Sequence, residues 1–200
     1  MTKVYICKIP GVLPRDIVYP PLRQEEISRQ RSEEKKLEKY WSWKLLEYAV
    51  RCATPYDFDT LDLKKQENGK WICPEFHFSI SHSAGYAAVI VSDTGCGIDL
   101  EKHRKLLPGI EKKILTERER KSYLAIQNEE EKSRFLLRKW TEKEAIFKCV
   151  GGRALMPATI EVDDFSLLTR DLNLGGELFC LAVCGVCAES CEIALLKDLS

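Results

Sequence analysis

The sequence predicts an α+β chain whose second part echoes its first, with strands and one long helix before Gly97 and the same content after it. Three observations carry this. Apolar residues recur at helical spacing over two stretches, 25–52 and 129–150. Short apolar runs bounded by turn residues fall on both sides of Gly97. No Pro/Gly/Ser-rich linker and no low-complexity tract divides the 200 residues, which suffice to bury a real core.

The elements follow in order. Residues 4–9 read as a first strand, stopped by Pro10 and Gly11. Between Glu25 and about Cys52, Leu37, Tyr40, Trp41, Lys44, Tyr48 and Cys52 recur at threes and fours and predict one buried helical stripe. The stretch "TLDLKKQENGKWICPEFHFSISHS" predicts short strands with a turn at Asn68 and Gly69. Residues 86–91 form the next strand; "SDTG" then turns the chain, and 96–100 is expected to return as the hairpin partner. Thr116 and Glu119 have the spacing of a capping box at a helix start. The helix over 129–150 is expected to bury Phe135, Leu136, Trp140 and Phe147 and to stop at Gly151 and Gly152. Strands are expected at 160–162, 178–186 and 192–196.

Lys plus Arg equals Asp plus Glu, at 31 each. That balance gives no argument for a nucleic acid or a membrane as the main partner, so any anion must be bound at a local site. There is no run of 18 apolar residues to cross a membrane, and the apolar part of "MTKVYICKIPGVLP" is short for a secretory signal. The nine cysteines are therefore expected to be reduced thiols in a cytoplasm. Cys180, Cys184, Cys187 and Cys191 lie close enough in sequence to hold zinc or an iron–sulfur cluster. Their spacing matches neither the paired zinc-ribbon pattern nor the common ferredoxin runs. Their apolar surroundings favour two packed strands joined by a turn at 188–190.

The residues that can carry chemistry form three groups. In "GCGIDLEKHR", Asp99 and Glu101 are two apart in a strand and share a face, while Ile98 and Leu100 face the core. Two carboxylates so close repel unless something positive lies between them, and Mg²⁺ fits that demand. A strand end reaching solvent, where both carboxylates simply hydrate, is the simpler account of the pair alone. In "RKWTEKEAIFKCVGG", Trp140, Glu144 and Lys148 are spaced by four along a helix. They are either an exposed ion pair or a row at the rim of the core, where Glu144 adds an oxygen to a metal and Lys148 meets a phosphate. In "FSISHSAG", His82 ends an alternating strand, as a structural histidine or a phosphate contact. Neither a nucleophile elbow nor a P-loop is present.

The order "NGK", "FSISHS", "GIDLE", "WTEKEAIFKCVG" resembles the 4′-phosphopantetheinyl transferases of the Sfp type, and "LAVCG" resembles that family's last-but-one strand. The resemblance covers roughly residues 69–187. It implies a fold of two pseudo-symmetric halves, here 1–97 and 98–200, each a small antiparallel sheet packed with a long helix, and an active site in the cleft between them. It implies Mg²⁺-dependent transfer of the phosphopantetheine arm of coenzyme A to a serine of an apo acyl or peptidyl carrier protein, by a monomer. The metal carboxylates fall on Asp99, Glu101 and Glu144, with Glu144 and Lys148 as the catalytic pair. Contacts to coenzyme A fall on Gly69, Lys70, Ser81, His82, Lys143 and Lys148; Lys36, Lys39 and Arg51 are candidate basic contacts from the first helix. Apart from the resemblance, the segment 106–124 follows the carboxylates and mixes Leu107, Ile110, Ile114 and Leu115 with charge, so it is either a docking surface for carrier protein or all core. Trp71 stands where the family often has Pro, and Arg153 where it has a second Gly. The rival readings are an inactive relative that only binds carrier protein or coenzyme A, and a different Mg²⁺-dependent enzyme of phosphoanhydrides.

Overall fold

A computed structural model describes residues 2–15, 21–185, 191–197 and 199. The chain begins with strand β1 (Thr2–Lys8), followed by helices α1 (Pro21–Ser28) and α2 (Glu33–Ala53). A short ladder of β2 (Lys64–Lys65) and β3 (Trp71–Ile72) leads to β4 (His77–Ser83), β5 (Tyr86–Ser92) and β6 (Gly97–Lys102). Next come α3 (Glu111–Ile114), α4 (Glu117–Ala125) and the long α5 (Glu129–Val150). The chain closes with β7 (Leu167–Leu174), β8 (Glu177–Cys184) and β9 (Glu192–Leu196). The expected α+β architecture with antiparallel sheets and long helices is present.

Two sheets form the centre. One has the order β4-β5-β1-β9, antiparallel except for the parallel pair β1 and β9; the other has the order β6-β8-β7 and is antiparallel throughout. Strand alternation sorts each side chain. Tyr5, Cys7, Phe78, Val89 and Val91 face α2, where Trp43, Leu46 and Val50 fill the outer core. Val4, Ile6, Ala88 and Ile90 face the other way and meet Ile98, Leu100, Leu181 and Val183 of the second sheet. Helix α5 covers that sheet's far side, with Ala145 and Ile146 packed on Ala182 and Cys184. The layers therefore run helix, sheet, sheet, helix.

Five expectations are corrected. The expected hairpin of 86–91 with 96–100 does not form: β5 pairs with β4 and β1, and β6 pairs with β8. The tight turn is Ala84 and Gly85, both at positive φ, and "SDTG" instead carries the chain across to the second sheet. The single helix over 25–52 is two helices, because Ser32 in extended backbone starts α2 afresh with Glu33 and Glu34 in its first turn. The α2 stripe is also rotated. Tyr40 of the expected stripe is buried, but so are Trp43, Leu46, Ala49, Val50 and Ala53 on another face, whereas Tyr48 and Cys52 are exposed. Residues 160–162 are not a strand; β7 takes that place, joined to β8 through Gly175 and Gly176, both at positive φ as a tight hairpin requires. The Thr116 and Glu119 capping box is formed at the start of α4. On α5, Leu136 is buried as expected, but Phe135, Trp140 and Phe147 are only half-buried. The expected turn at 188–190 lies outside the described residues; β8 and β9, on either side of it, belong to different sheets.

Candidate active site

Gly97 decides how close β6 comes to α5. A Cβ there would lie 2.0 Å from the Ala145 carbonyl oxygen and 2.5 Å from the Cys149 nitrogen. That approach puts the next residues of β6 directly beneath the helix. Ile98 and Leu100 enter the core between the sheets, and Asp99 and Glu101 take the opposite face, as alternation requires.

The outer edge of β6 would present unpaired N–H groups, since β6 ends its sheet. Serines of β4 meet them. Ile98, Leu100 and Lys102 donate their N–H groups to the hydroxyl oxygens of Ser79, Ser81 and Ser83, at 3.2, 3.2 and 3.1 Å. Two of these hydroxyls donate onward, Ser81 to Asp99 Oδ1 at 2.8 Å and Ser83 to Glu101 Oε2 at 3.1 Å. The alternating serines of "FSISHS" thus join the two sheets at their edges and hold both carboxylates.

From above, α5 contributes Trp140, Glu144 and Lys148. The Lys148 ammonium is 2.7 Å from Asp99 Oδ1 and 3.3 Å from the Ser81 hydroxyl. It reaches across to the strand rather than forming an exposed pair with Glu144. The Trp140 indole N–H donates to Glu101 Oε1 at 3.4 Å. Burial raises the pKa of Glu101, and so does the charge of Asp99. Burial likewise raises that of Glu144; Lys148 opposes the rise, and Asp99 and Glu101 add to it.

This donor set suits a hard divalent cation. Asp99 Oδ2 is buried without a hydrogen-bond partner, beside two carboxylates that are costly to ionise together. The expected cage is not closed, however. Among the described residues no three acidic, His or Cys side chains converge closely enough to hold an ion, and Ser83, Trp140 and Lys148 engage oxygens of Asp99 and Glu101.

A cleft of about 380 Å³ opens beside Lys148, lined among others by Lys39, Lys70, Trp71, His82 and Phe147. Gly69, at φ 85°, makes the tight turn between β2 and β3, and Lys70 then donates to the Lys148 carbonyl at 2.6 Å. His82 points to the α2 side of β4, with Nδ1 3.4 Å from Glu38 Oε2. Desolvation and the charges of Lys148, Lys39 and Arg23 push its pKa down to about 4, against the pull of Asp99. Trp71 packs edge-on against Trp43, with ring centroids 5.1 Å apart, which gives this departure from the family pattern a core role.

The structure brings together Lys70, Ser81, His82, Asp99, Glu101, Glu144 and Lys148. It does not bring Lys143. That side chain is fully buried, paired with Glu119 at 2.5 Å and donating to the Ile114 carbonyl at 2.8 Å. One position along a helix turns a side chain by about 100°, so the neighbour of Glu144 points into the packing between α5 and the α3–α4 segment. Of the basic candidates on α2, Lys39 lines the cleft, whereas Lys36 pairs with Glu33 and Arg51 with Glu47. Arg23, which lines the cleft from α1 with its guanidinium over the Trp43 ring, carried no sequence signal. Ser79 and Ser83 did carry one, the period-two alternation of serine with Phe78, Ile80 and His82. Cys180, Cys184 and Cys191 are buried free thiols, and Cys187 lies outside the described residues.

Residues 95–187 match the model of the 4′-phosphopantetheinyl transferase superfamily. The chain is 30% identical over 129 residues to 4′-phosphopantetheinyl transferase Sfp of Bacillus subtilis (strain 168), covering 62% of this chain and 55% of that protein. It is 31% identical over 110 residues to 4′-phosphopantetheinyl transferase psf-1 of Bacillus pumilus, covering 54% and 47%. The match thus spans about half the length of these relatives. The matched region includes β6, α5 and the Asp99, Glu101, Glu144 and Lys148 they carry, so it is over this part of the chain that the similarity to the 4′-phosphopantetheinyl transferase superfamily runs.

Proposed function

We propose that this chain is a transferase that moves the 4′-phosphopantetheine arm of coenzyme A, with Mg²⁺, to a serine of an apo acyl or peptidyl carrier protein. The products are holo carrier protein and 3′,5′-ADP. One observation carries the reading: Lys148 of the helix motif touches Asp99 of the strand motif at 2.7 Å, at the edge of a cleft lined by further cations. With the halves taken as 1–97 and 98–200, the cleft is lined from both, by Lys39, Lys70 and His82 of the first and by Phe147 and Lys148 of the second.

Asp99, Glu101 and Glu144 would hold the metal. When bound, Mg²⁺ would neutralise charge on the pyrophosphate and on the leaving phosphate. Lys39, Lys70 and His82 would meet the phosphates and nucleotide of coenzyme A in the cleft. The incoming serine oxygen attacks the phosphorus that bears the pantetheine arm, and the bond from that phosphorus to the departing 3′,5′-ADP breaks. A carboxylate oxygen of Glu144 accepts the serine proton. Lys148 stabilises the charge that grows on the transferring phosphoryl oxygens.

A monomer in the cytoplasm fits this reading. The described cysteines are all free thiols, and among the described residues no helix is long and apolar enough to cross a membrane. The test is direct: incubate the protein with apo carrier protein, coenzyme A and Mg²⁺, and measure the intact mass of the carrier. A gain of one phosphopantetheine, lost when Mg²⁺ is chelated, is the expected result. An unmodified acyl, and equally unmodified peptidyl, carrier protein would refute the reading.

A further inference from the structure

The three serines of β4 are chemically alike but differently used. Each accepts one backbone N–H of β6, so each seals part of an otherwise open strand edge. Ser81 and Ser83 also donate to a carboxylate; among the described residues Ser79 has no carboxylate partner. A hydroxyl offers one donor and two acceptor sites. Those of Ser81 are filled by Asp99, the Leu100 N–H and the Lys148 ammonium, and Ser81 is 5% exposed. Its side chain therefore has nothing left with which to grip a nucleotide. Ser83 fixes one oxygen of Glu101 while the Trp140 indole fixes the other.

We propose that Ser83 is a positioning residue for Glu101, and Ser81 for Asp99, so that the serine row aims both carboxylates at a divalent cation while it joins the sheets. The inference rests on the metal role assigned to Asp99 and Glu101 under the proposed function. It moves Ser81 from ligand contact to carboxylate support and gives Ser83 a task that the motif resemblance does not assign.

Ser79 supplies the control. Ser79→Ala removes an N–H cap alone, whereas Ser83→Ala removes a cap and a carboxylate bond. The measurement is the thermal unfolding midpoint of the full chain with saturating coenzyme A and no carrier protein, as Mg²⁺ is titrated. Both variants should unfold a few degrees below the parent without metal. Ser83→Ala should then need about tenfold more Mg²⁺ for half its shift, the usual scale for losing a partner that orients a metal ligand. Ser79→Ala should keep the parent's Mg²⁺ requirement. Ser83→Thr, which restores the hydroxyl, should recover it. A parent chain that responds to Mg²⁺ alongside a Ser83→Ala variant with the same requirement would overturn this inference alone. A parent chain that ignores Mg²⁺ would overturn the proposed function and this inference with it.

Discussion

Lys148→Ala is the sharpest perturbation of this site, because one ammonium has two jobs there. Without metal it is the cation that faces Asp99, at 2.7 Å. Its removal leaves a carboxylate that is 6% exposed next to Glu101 and Glu144, with Ser81 as the remaining donor. Breaking a fully buried pair costs about 3–5 kcal/mol. Lys148 keeps 26% of its side-chain surface in water, so screening reduces the expected loss to about 2 kcal/mol. For a chain of this size that corresponds to a fall of about 4–8 °C in unfolding midpoint. The metal response should move the opposite way: Mg²⁺ no longer has to displace an ammonium from Asp99, so less of it is needed to stabilise the variant. Transfer should nevertheless slow, with kcat lowered more than coenzyme A binding is weakened, because charge on the transferring oxygens grows mainly in the transition state. Calorimetric unfolding across a Mg²⁺ series and steady-state transfer kinetics would measure both effects. An unchanged midpoint with an unchanged Mg²⁺ requirement would show that the Lys148 and Asp99 pairing is not what balances these carboxylates, and a normal kcat would remove Lys148 from the chemistry.

Other expectations follow from the same geometry. Glu101 and Glu144 have raised pKa values in the folded chain, so the folded state holds their protons more tightly than the unfolded state does. Metal-free stability should therefore fall as pH climbs from the ordinary glutamate value, about 4.3, through the raised values. Denaturant unfolding across that window should show the decline, and the double variant Glu101→Gln with Glu144→Gln should flatten it. Gly97→Ala would drive a methyl group into the backbone of α5, so the variant should lose several kcal/mol, roughly the upper range for single substitutions, and fail to give a cooperative unfolding transition. In the segment proposed to meet the carrier, Leu107 and Leu124 are 77% and 66% exposed while Ile114 and Leu115 are core. Leu107→Asp should raise the KM for carrier protein and leave that for coenzyme A alone; an equal rise in both would argue against docking there.

What the sequence made legible was local. The shared face of Asp99 and Glu101 follows from alternation within one strand, and the row of Trp140, Glu144 and Lys148 from the four-residue spacing of one helix. The capping box of Thr116 and Glu119 is likewise a four-residue pattern, and it formed as expected. Strand pairing was not legible in the same way. The chain reaches β6 a few residues after β5, yet β6 pairs with β8, more than seventy residues onward, and only the packing of Ile98 and Leu100 between two sheets decides this. The α2 stripe was set by aromatic letters, whereas the face that packs on the sheet combines Trp43 with Leu46, Ala49, Val50 and Ala53. Lys143 shows the limit most clearly. It sits inside the motif that carries the proposed site residues, and the Glu119 it pairs with is twenty-four positions away.

The parallel pairing of β1 with β9 has a consequence for how this protein is made. Strand β1 acquires one of its two neighbours only when residues 192–196 have emerged, since Lys3 lies opposite Glu192. Until then β1 carries an open edge on one side, and a contact of that sequence separation is slow to close because so much chain must first be ordered. The nascent first sheet therefore waits in an adhesive state while the second sheet and its helix are being synthesised. Selection on β9, a partly exposed five-residue strand far from the cleft, would then act through the yield of folded protein and not through turnover.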